Sequence, residues 1–289
     1  MGAMDDPIES NPMQSGIYGS FMAATMALWH REMVRFIRQR NRVISALATP
    51  VVFWLLLGSG LDRSFRLIRV AESAMDSHPV SQVGYLEYFF PGMVVMILLF
   101  TAIFSTISVI EDRREGFLQA VLAAPIPRMA IVFSKVLGGA SLATAQGALV
   151  MLLFWPWVIG GQGFAMIPAA IVVMFVVGVA LTALGMCMAW PMDSTAGFHA
   201  LMNLLLMPMW FLSGAVFPLE TAPRWLQIVM YANPLTYGQQ VLRWAMCPPE
   251  NLSTGSVPLA WSMVLLGGFV VVSIVLAGWL VARPRGDGS

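Results

Sequence analysis

The sequence predicts an all-α integral membrane protein: six transmembrane helices preceded by an amphipathic interfacial helix, with short re-entrant helices between spans five and six. Three observations carry this. The chain of 289 residues is 58% hydrophobic and only 11% charged, with a mean hydropathy of +0.76, whereas a soluble domain is about a quarter charged. Uncharged runs matching the ~20 residues of a bilayer crossing fall at 43–61, 88–110, 136–192, 194–219 and 251–282, and the third, 57 residues long, holds two spans and a hairpin. None of these runs shows the period-two alternation of a membrane barrel strand.

The elements follow in order. Residues 1–19 carry Asp5, Asp6 and Glu9 but no Lys or Arg, the wrong sign for a secretory leader, and are expected to be a disordered tail. An interfacial helix follows over 20–41. Met22, Met26, Trp29, Met33 and Phe36 recur at helical spacing, and Arg31, Arg35, Arg38 and Arg42 recur about half a turn away. A bulky apolar face opposite a cationic one suits a helix lying on the inner leaflet, where a plain basic anchor is the simplest role. Spans are expected at about 43–61, 88–110, 133–156, 165–190, 196–216 and 259–281, with a tail at 284–289. Pro50 should kink the first span. Gly139, Ala143 and Gly147 share one face of the third span, and Gly178, Thr182 and Gly185 do much the same on the fourth; such small faces let helices approach closely, so a tight hairpin is expected around residues 155–164. Between spans five and six, Pro223 suits a first helical turn and Asn233-Pro234 breaks the chain, which leaves two pieces too short to cross a bilayer.

Orientation follows from the basic residues. Of the 16 Lys and Arg, the segments before span one, between two and three, between four and five and after six hold five, four, none and two. The opposite side holds Arg63, Arg66, Arg69, Arg224 and Arg243. The richer side is cytoplasmic, so both termini are expected inside. Cys187 falls in the fourth span and Cys247 in an outer loop, which argues against their pairing.

Several function classes are disfavoured. A net charge of +1 gives no footprint for nucleic acid. His30, His78 and His199 are scattered without ligand spacing, and no catalytic, cofactor-binding or metal site can be assigned. The single lysine, Lys135, follows Ser134, so the Gly-Lys of a phosphate-binding loop is missing. No ionisable residue sits near a span centre; Glu87 and Lys135 lie at span ends, and Gln146 and Asn203 are the large polar side chains within spans. An ion relay of the kind secondary transporters need is therefore poorly supported, and if transport is active its energy must come from another chain.

The stretch EDRREGFLQAVLAAPIPR, residues 111–128, stands out. Five charges, Glu111 to Glu115, end the second span and can pair along a helix or with a partner. Gly116 loosens the chain; Phe117, Leu118, Val121 and Leu122 then form an apolar ridge, and Pro125 and Pro127 stop it. An ordinary loop needs no exposed ridge between charges, whereas a docking helix does.

This stretch resembles the cytoplasmic motif of type-2 ABC permeases: Glu, a basic pair, Gly, two apolar residues, then Ala-Pro-Ile. FLSGAVFPLETAPRWLQIVMYANPLTYGQQVLR, residues 211–243, is similar to the second signature of that family, with Ser-Gly-x-x-x-Pro, Pro-x-Trp-Leu, Asn-Pro-Leu-Thr-Tyr and a closing Arg. Both lie in the family's order over residues 20–283, closest to the bacterial drug-, lipid- or nodulation-type export permeases; the outer loop at 61–84 follows no such pattern. The resemblance implies a permease subunit of the bacterial cytoplasmic membrane that pairs with a second protomer, as a homodimer or a heterodimer. Each protomer would bind a separate ABC ATPase that holds the ATP and Mg. It implies ATPase coupling through Glu111, Arg113, Arg114, Glu115, Gly116, Phe117, Leu118 and Pro125, with the interfacial helix (Arg31, Arg35, Arg38) touching the same subunit. ATP binding would close the ATPase pair and open the permease outward. The resemblance also implies an outer gate at Pro218, Asn233 and Pro234, and a substrate path along spans two and five. There Met96, Phe100 and Phe104 share one face, as do Asn203, Met207 and Trp210. A Met- and aromatic-lined path suits an amphipathic drug or lipid; saccharide or ion export within the family, an ion-coupled transporter and a non-transport membrane scaffold are the alternatives.

Overall fold

A computed structural model describes residues 12–76, 84–158, 164–246 and 257–283. Among these the chain is helical, with no strand. The helices are α1 (Pro12–Arg38), α2 (Arg40–Asp76), α3 (Tyr85–Arg114), α4 (Phe117–Ala123), α5 (Arg128–Val158), α6 (Ile167–Ala189), α7 (Thr195–Trp210), α8 (Arg224–Ala232), α9 (Pro234–Met246) and α10 (Leu259–Ala282). Six stretches are long and apolar enough to cross a membrane: Arg40–Asp62, Tyr85–Arg114, Arg128–Val158, Ile167–Ala189, Thr195–Ala215 and Leu259–Ala282. The six expected spans and the two short helices between the fifth and sixth are all present.

Several boundaries differ from expectation. α1 begins at Pro12, inside the stretch expected to be a tail, and α2 continues past the first span to Asp76 through what was expected to be loop. Arg40–Asp76 carries no proline after Pro50, and Gly58 and Gly60 lower its helix propensity without ending it. The expected hairpin turn begins as the last turn of α5, up to Val158; residues 159–163, like 1–11 and 284–289, lie outside the described part.

α3 is the central helix, buried round nearly its whole circumference by α2, α5, α6, α7 and α9. Its apolar residues allow this, and its hydroxyls find partners within the helix or on a neighbouring one. Thr106 donates to the carbonyls of Ala102 and Ile103, and Thr101 donates to Gln146 Oε1 at 2.8 Å. Trp54 of α2 packs on Phe90 and donates to the Leu86 carbonyl at 2.9 Å. The small-residue faces of α5 and α6 meet as predicted, and α3 wedges into the same junction. A Cβ on Gly139 would stand 2.4 Å from Ser105 Oγ of α3 and 2.5 Å from Thr182 Cγ2 of α6. Only glycine permits that three-helix approach.

At the far end of α7 the helix closes in a π turn, Phe211–Ala215, with Gly214 at φ 81°. Tyr85 donates to the Val216 carbonyl at 2.8 Å, and Tyr88 donates to that of Gly214 at 2.9 Å, which satisfies carbonyls that the irregular turn frees from the helix.

Candidate functional site

The end of the bundle that carries α4 holds a network of buried charge. Four cationic side chains, Arg31, Arg35, Arg42 and Lys135, meet four carboxylates, Glu32, Glu111, Asp112 and Glu115. Arg31 bonds Asp112 at 2.8 Å and Glu32 at 3.2 Å; Arg35 bonds Glu111 at 3.0 Å, Glu115 at 3.3 Å and Asp112. Lys135 of α5 donates to Glu32 at 2.6 Å, to Ser108 Oγ at 2.9 Å and to Asp112. Ser108 in turn donates to the other oxygen of Glu32 at 2.8 Å. Asp112 is fully buried, with Glu32 and Lys135 nearly so. Charge out of water survives only when paired and hydrogen-bonded, and here the signs balance. The network ties α1, the end of α3 and the start of α5 into one body. Burial works against the charge of Arg31, but its hydrogen bond to Asp112 and the nearby Asp112, Glu32 and Glu115 charges outweigh this, holding its pKa above the ordinary value.

The expected cationic face of α1 divides between paired and exposed arginines. Arg31 and Arg35 turn towards the carboxylates of α3 and pair with Glu111 and Asp112. Arg38 alone of the three is exposed. Part of the expected apolar face points outward instead, with Met22 and Met26 exposed alongside Val34 and Ile37, while Phe36 is buried and Trp29 donates to Ser141 Oγ at 3.3 Å.

The candidate coupling stretch divides in two. Gly116, at φ 76°, turns the chain sharply from α3 into α4. Leu118, expected on an exposed ridge, is only 4% exposed and packs in the core, with Val121 half-buried beside it. Phe117 lies under the Arg31 guanidinium, 3.6 Å from the ring centre. A seven-residue helix on a membrane bundle holds its place by burying one side, and these residues supply that side. Arg113 is anchored by the carbonyls of Trp190 and Met192 and by Asp193 at 3.0 Å. Open to the surroundings are Arg114, Glu115, Gly116, Gln119, Leu122 and Pro125.

On the candidate path, Met96 is fully buried inside the protomer and Trp210 donates to the Gly92 carbonyl at 2.9 Å, so neither lines an open face. Phe100 and Phe104 are half-buried and lie side by side, 6.1 Å between ring centres, and Phe104 touches His199 of α7. His199, Asn203 and Met207 recur every four residues on α7, and Asn203 is exposed. At the candidate gate the chain breaks where expected. Asn233 donates to the Met209 carbonyl at 2.6 Å and accepts from the Leu235 N–H at 3.0 Å, which starts α9 at Pro234; Pro218 is half-buried ahead of a short 3-10 turn.

Sequence reasoning passed over Glu32 and Ser108, and took Asp112 only as one of the five charges at 111–115. A signal existed for one of them: Glu32 is the only acid in α1 and lies three residues after Trp29 and four before Phe36, on the helix face that packs inward.

The family model described as ABC-2 type transporter matches residues 23–247. Nodulation protein J of Sinorhizobium fredii is 28% identical over 264 residues, which cover 89% of this chain and 92% of that protein. The protein ycf38 of Cyanophora paradoxa, named as a transport permease, is 25% identical over 268 residues, 91% of this chain and 89% of its own. The inner membrane transport permease YadH of Escherichia coli is 21% identical over 271 residues, 92% and 97%.

Proposed function

Because the chain belongs to the ABC-2 type transporter family, we propose that it is the permease subunit of an ATP-driven exporter of the bacterial cytoplasmic membrane, working as a pair of copies with a separate ATPase. Its termini and α4 face the cytoplasm. Its cargo is an amphipathic, drug- or lipid-like molecule, drawn along Phe100, Phe104, Asn203 and Met207 between the copies and released past α8 and α9. The observation that carries this reading is the form of the α4 end. The segment from the end of α3 through α4 presents Arg114, Glu115, Gln119, Leu122 and Pro125 outward, while Leu118 packs in the core and Phe117 lies under Arg31 of the charge network. Such a piece passes a push from a docked partner into the bundle without bending. An exposed asparagine on a helix that crosses the membrane also favours a neighbour or a wet path over lipid.

The test is co-purification of the ATPase with tagged permease, and stimulation of its activity by substrate. Glu115→Lys and Leu122→Ala should each weaken association, by more than ~1 kcal/mol where the residue is a hot spot, without loss of membrane insertion. Full association and full stimulation in both variants would defeat the coupling reading.

A further inference from the structure

α9 carries a second polar feature, at the end of the bundle remote from α4. Gln239 is 1% exposed, and among the described residues neither its Oε1 nor its Nε2 has a hydrogen-bond partner. Arg243, one turn further on, lies about 40° round the helix and therefore on the same face. Its Nη2 donates to the Gly214 carbonyl at 2.8 Å and its guanidinium covers the Tyr88 ring at 4.1 Å, but its Nε is buried and has no partner. Among the described residues no carboxylate pairs with it.

Buried polar groups are nearly always satisfied, and leaving one unmade is costly. Two adjacent turns of one short helix break that rule together, in a segment that lies beside the π turn of α7. We propose that Gln239 and Arg243 form a binding site for the polar head of the exported amphipath, and that this head is uncharged and bears hydroxyl groups. The pattern of atoms selects the class. Arg243 Nε–H and the Gln239 amide nitrogen need acceptors, whereas Gln239 Oε1 needs a donor. A fully ionised phosphate or carboxylate accepts but cannot donate, so it leaves Oε1 unmet; a quaternary ammonium head accepts nothing. A hydroxyl does both. The proposal rests on the reading of the chain as an exporter of amphipaths, and names the head group that it selects.

The test uses the full-length chain, without its ATPase, in phosphatidylcholine nanodiscs. Its thermal midpoint is followed against n-octyl β-glucoside, n-octyl phosphate and octyltrimethylammonium, each below micelle formation. The glucoside should raise the midpoint saturably, and more than either charged probe. Gln239→Leu, of similar bulk, should raise the midpoint of the ligand-free protein, because an unmet amide is removed. The same variant should shift half-saturation by the glucoside to about tenfold higher concentration. A larger response to octyl phosphate would make this an anion site and overturn the proposal. So would an absent glucoside response, or a ligand-free midpoint that falls in Gln239→Leu, since the amide would then be satisfied by bound water at rest. Glucoside binding that persists while no ATPase associates would instead count against the exporter reading alone.

Discussion

Lys135→Met tests the buried network most directly. The substitution keeps the length and apolar stem of the side chain and removes only the ammonium. That ammonium donates to Glu32, Ser108 and Asp112. Breaking a buried ion pair by deleting one partner costs about 3–5 kcal/mol, because a charge is left uncompensated. Asp112 keeps Arg31 and Arg35, so the exposed deficit falls on Glu32, which retains Arg31 at 3.2 Å and Ser108 at 2.8 Å. The expected cost is therefore near the lower bound, about 3 kcal/mol. The assay is unfolding in mixed micelles by sodium dodecyl sulfate, followed by tryptophan fluorescence, for Lys135→Met, Glu32→Gln and the double variant. The double variant should cost less than the two single changes together, with a coupling of about 1–3 kcal/mol. A Lys135→Met cost under about 1 kcal/mol, or strict additivity, would show that these groups do not form one closed network.

Other consequences follow from the same geometry. On intact cells a membrane-impermeant thiol reagent should spare Cys187, which is buried with its Sγ 3.5 Å from the Ser273 carbonyl, and should modify Cys247, which lies outside the described residues; labelling of Cys187 alone would reverse the orientation. Arg31→Glu should sharply lower the amount of folded protein by setting an acid against Asp112, whereas Arg38→Glu, at an exposed site, should leave that amount within error in a size-exclusion assay. Leu118→Ala should destabilise the chain by about 2–5 kcal/mol as a core truncation, so its melting point in the absence of any partner should fall; an unchanged melting point would return Leu118 to the exposed ridge.

What the sequence made legible was whatever rests on composition and on local chemistry. The spans were read from uncharged runs, the close α5–α6 approach from Gly139 and Gly178, and the break before α9 from Asn233-Pro234. What it hid depends on which faces meet. Arg31, Arg35 and Glu32 alternate along α1 in a pattern that suits an anionic leaflet and a buried acidic cluster equally well. Only the packing of α1 on α5, which brings these arginines within reach of the end of α3, decides between them, and Asp112 is the residue they meet. Leu118 and Leu122 have the same chemistry and stand one turn apart, yet one is 4% and the other 41% exposed. Nothing in their identity sorts them. The Gln239–Arg243 pair was equally silent, because an amide in an apolar helix is normally read as an interhelical hydrogen bond, and its lack of a partner is visible only in three dimensions.

α3 joins the two ends of the proposed mechanism. Its C-terminus holds Asp112 in the network and passes through Gly116 into α4; its first turns hold Tyr85 and Tyr88 on the carbonyls of the π turn. Thirty residues at about 1.5 Å each make a helix of about 45 Å, enclosed along most of its length, with Pro91 just after the turn that carries Tyr88. A displacement imposed at α4 is expected to reach Gly214, whose carbonyl takes both Tyr88 and Arg243. Tyr88→Phe isolates that joint. The ring stays beneath the guanidinium, so the cation–π contact is kept, and only the hydroxyl is lost. One neutral hydrogen bond contributes about 1 kcal/mol, too little to unfold the chain but enough to loosen a joint held by two. ATPase association should be unchanged, because the site lies at the far end of α3. Substrate moved per ATP hydrolysed should fall in vesicles holding the reconstituted complex. An unaltered ratio, with the clasp broken, would mean that the push from α4 reaches the gate by a route other than α3.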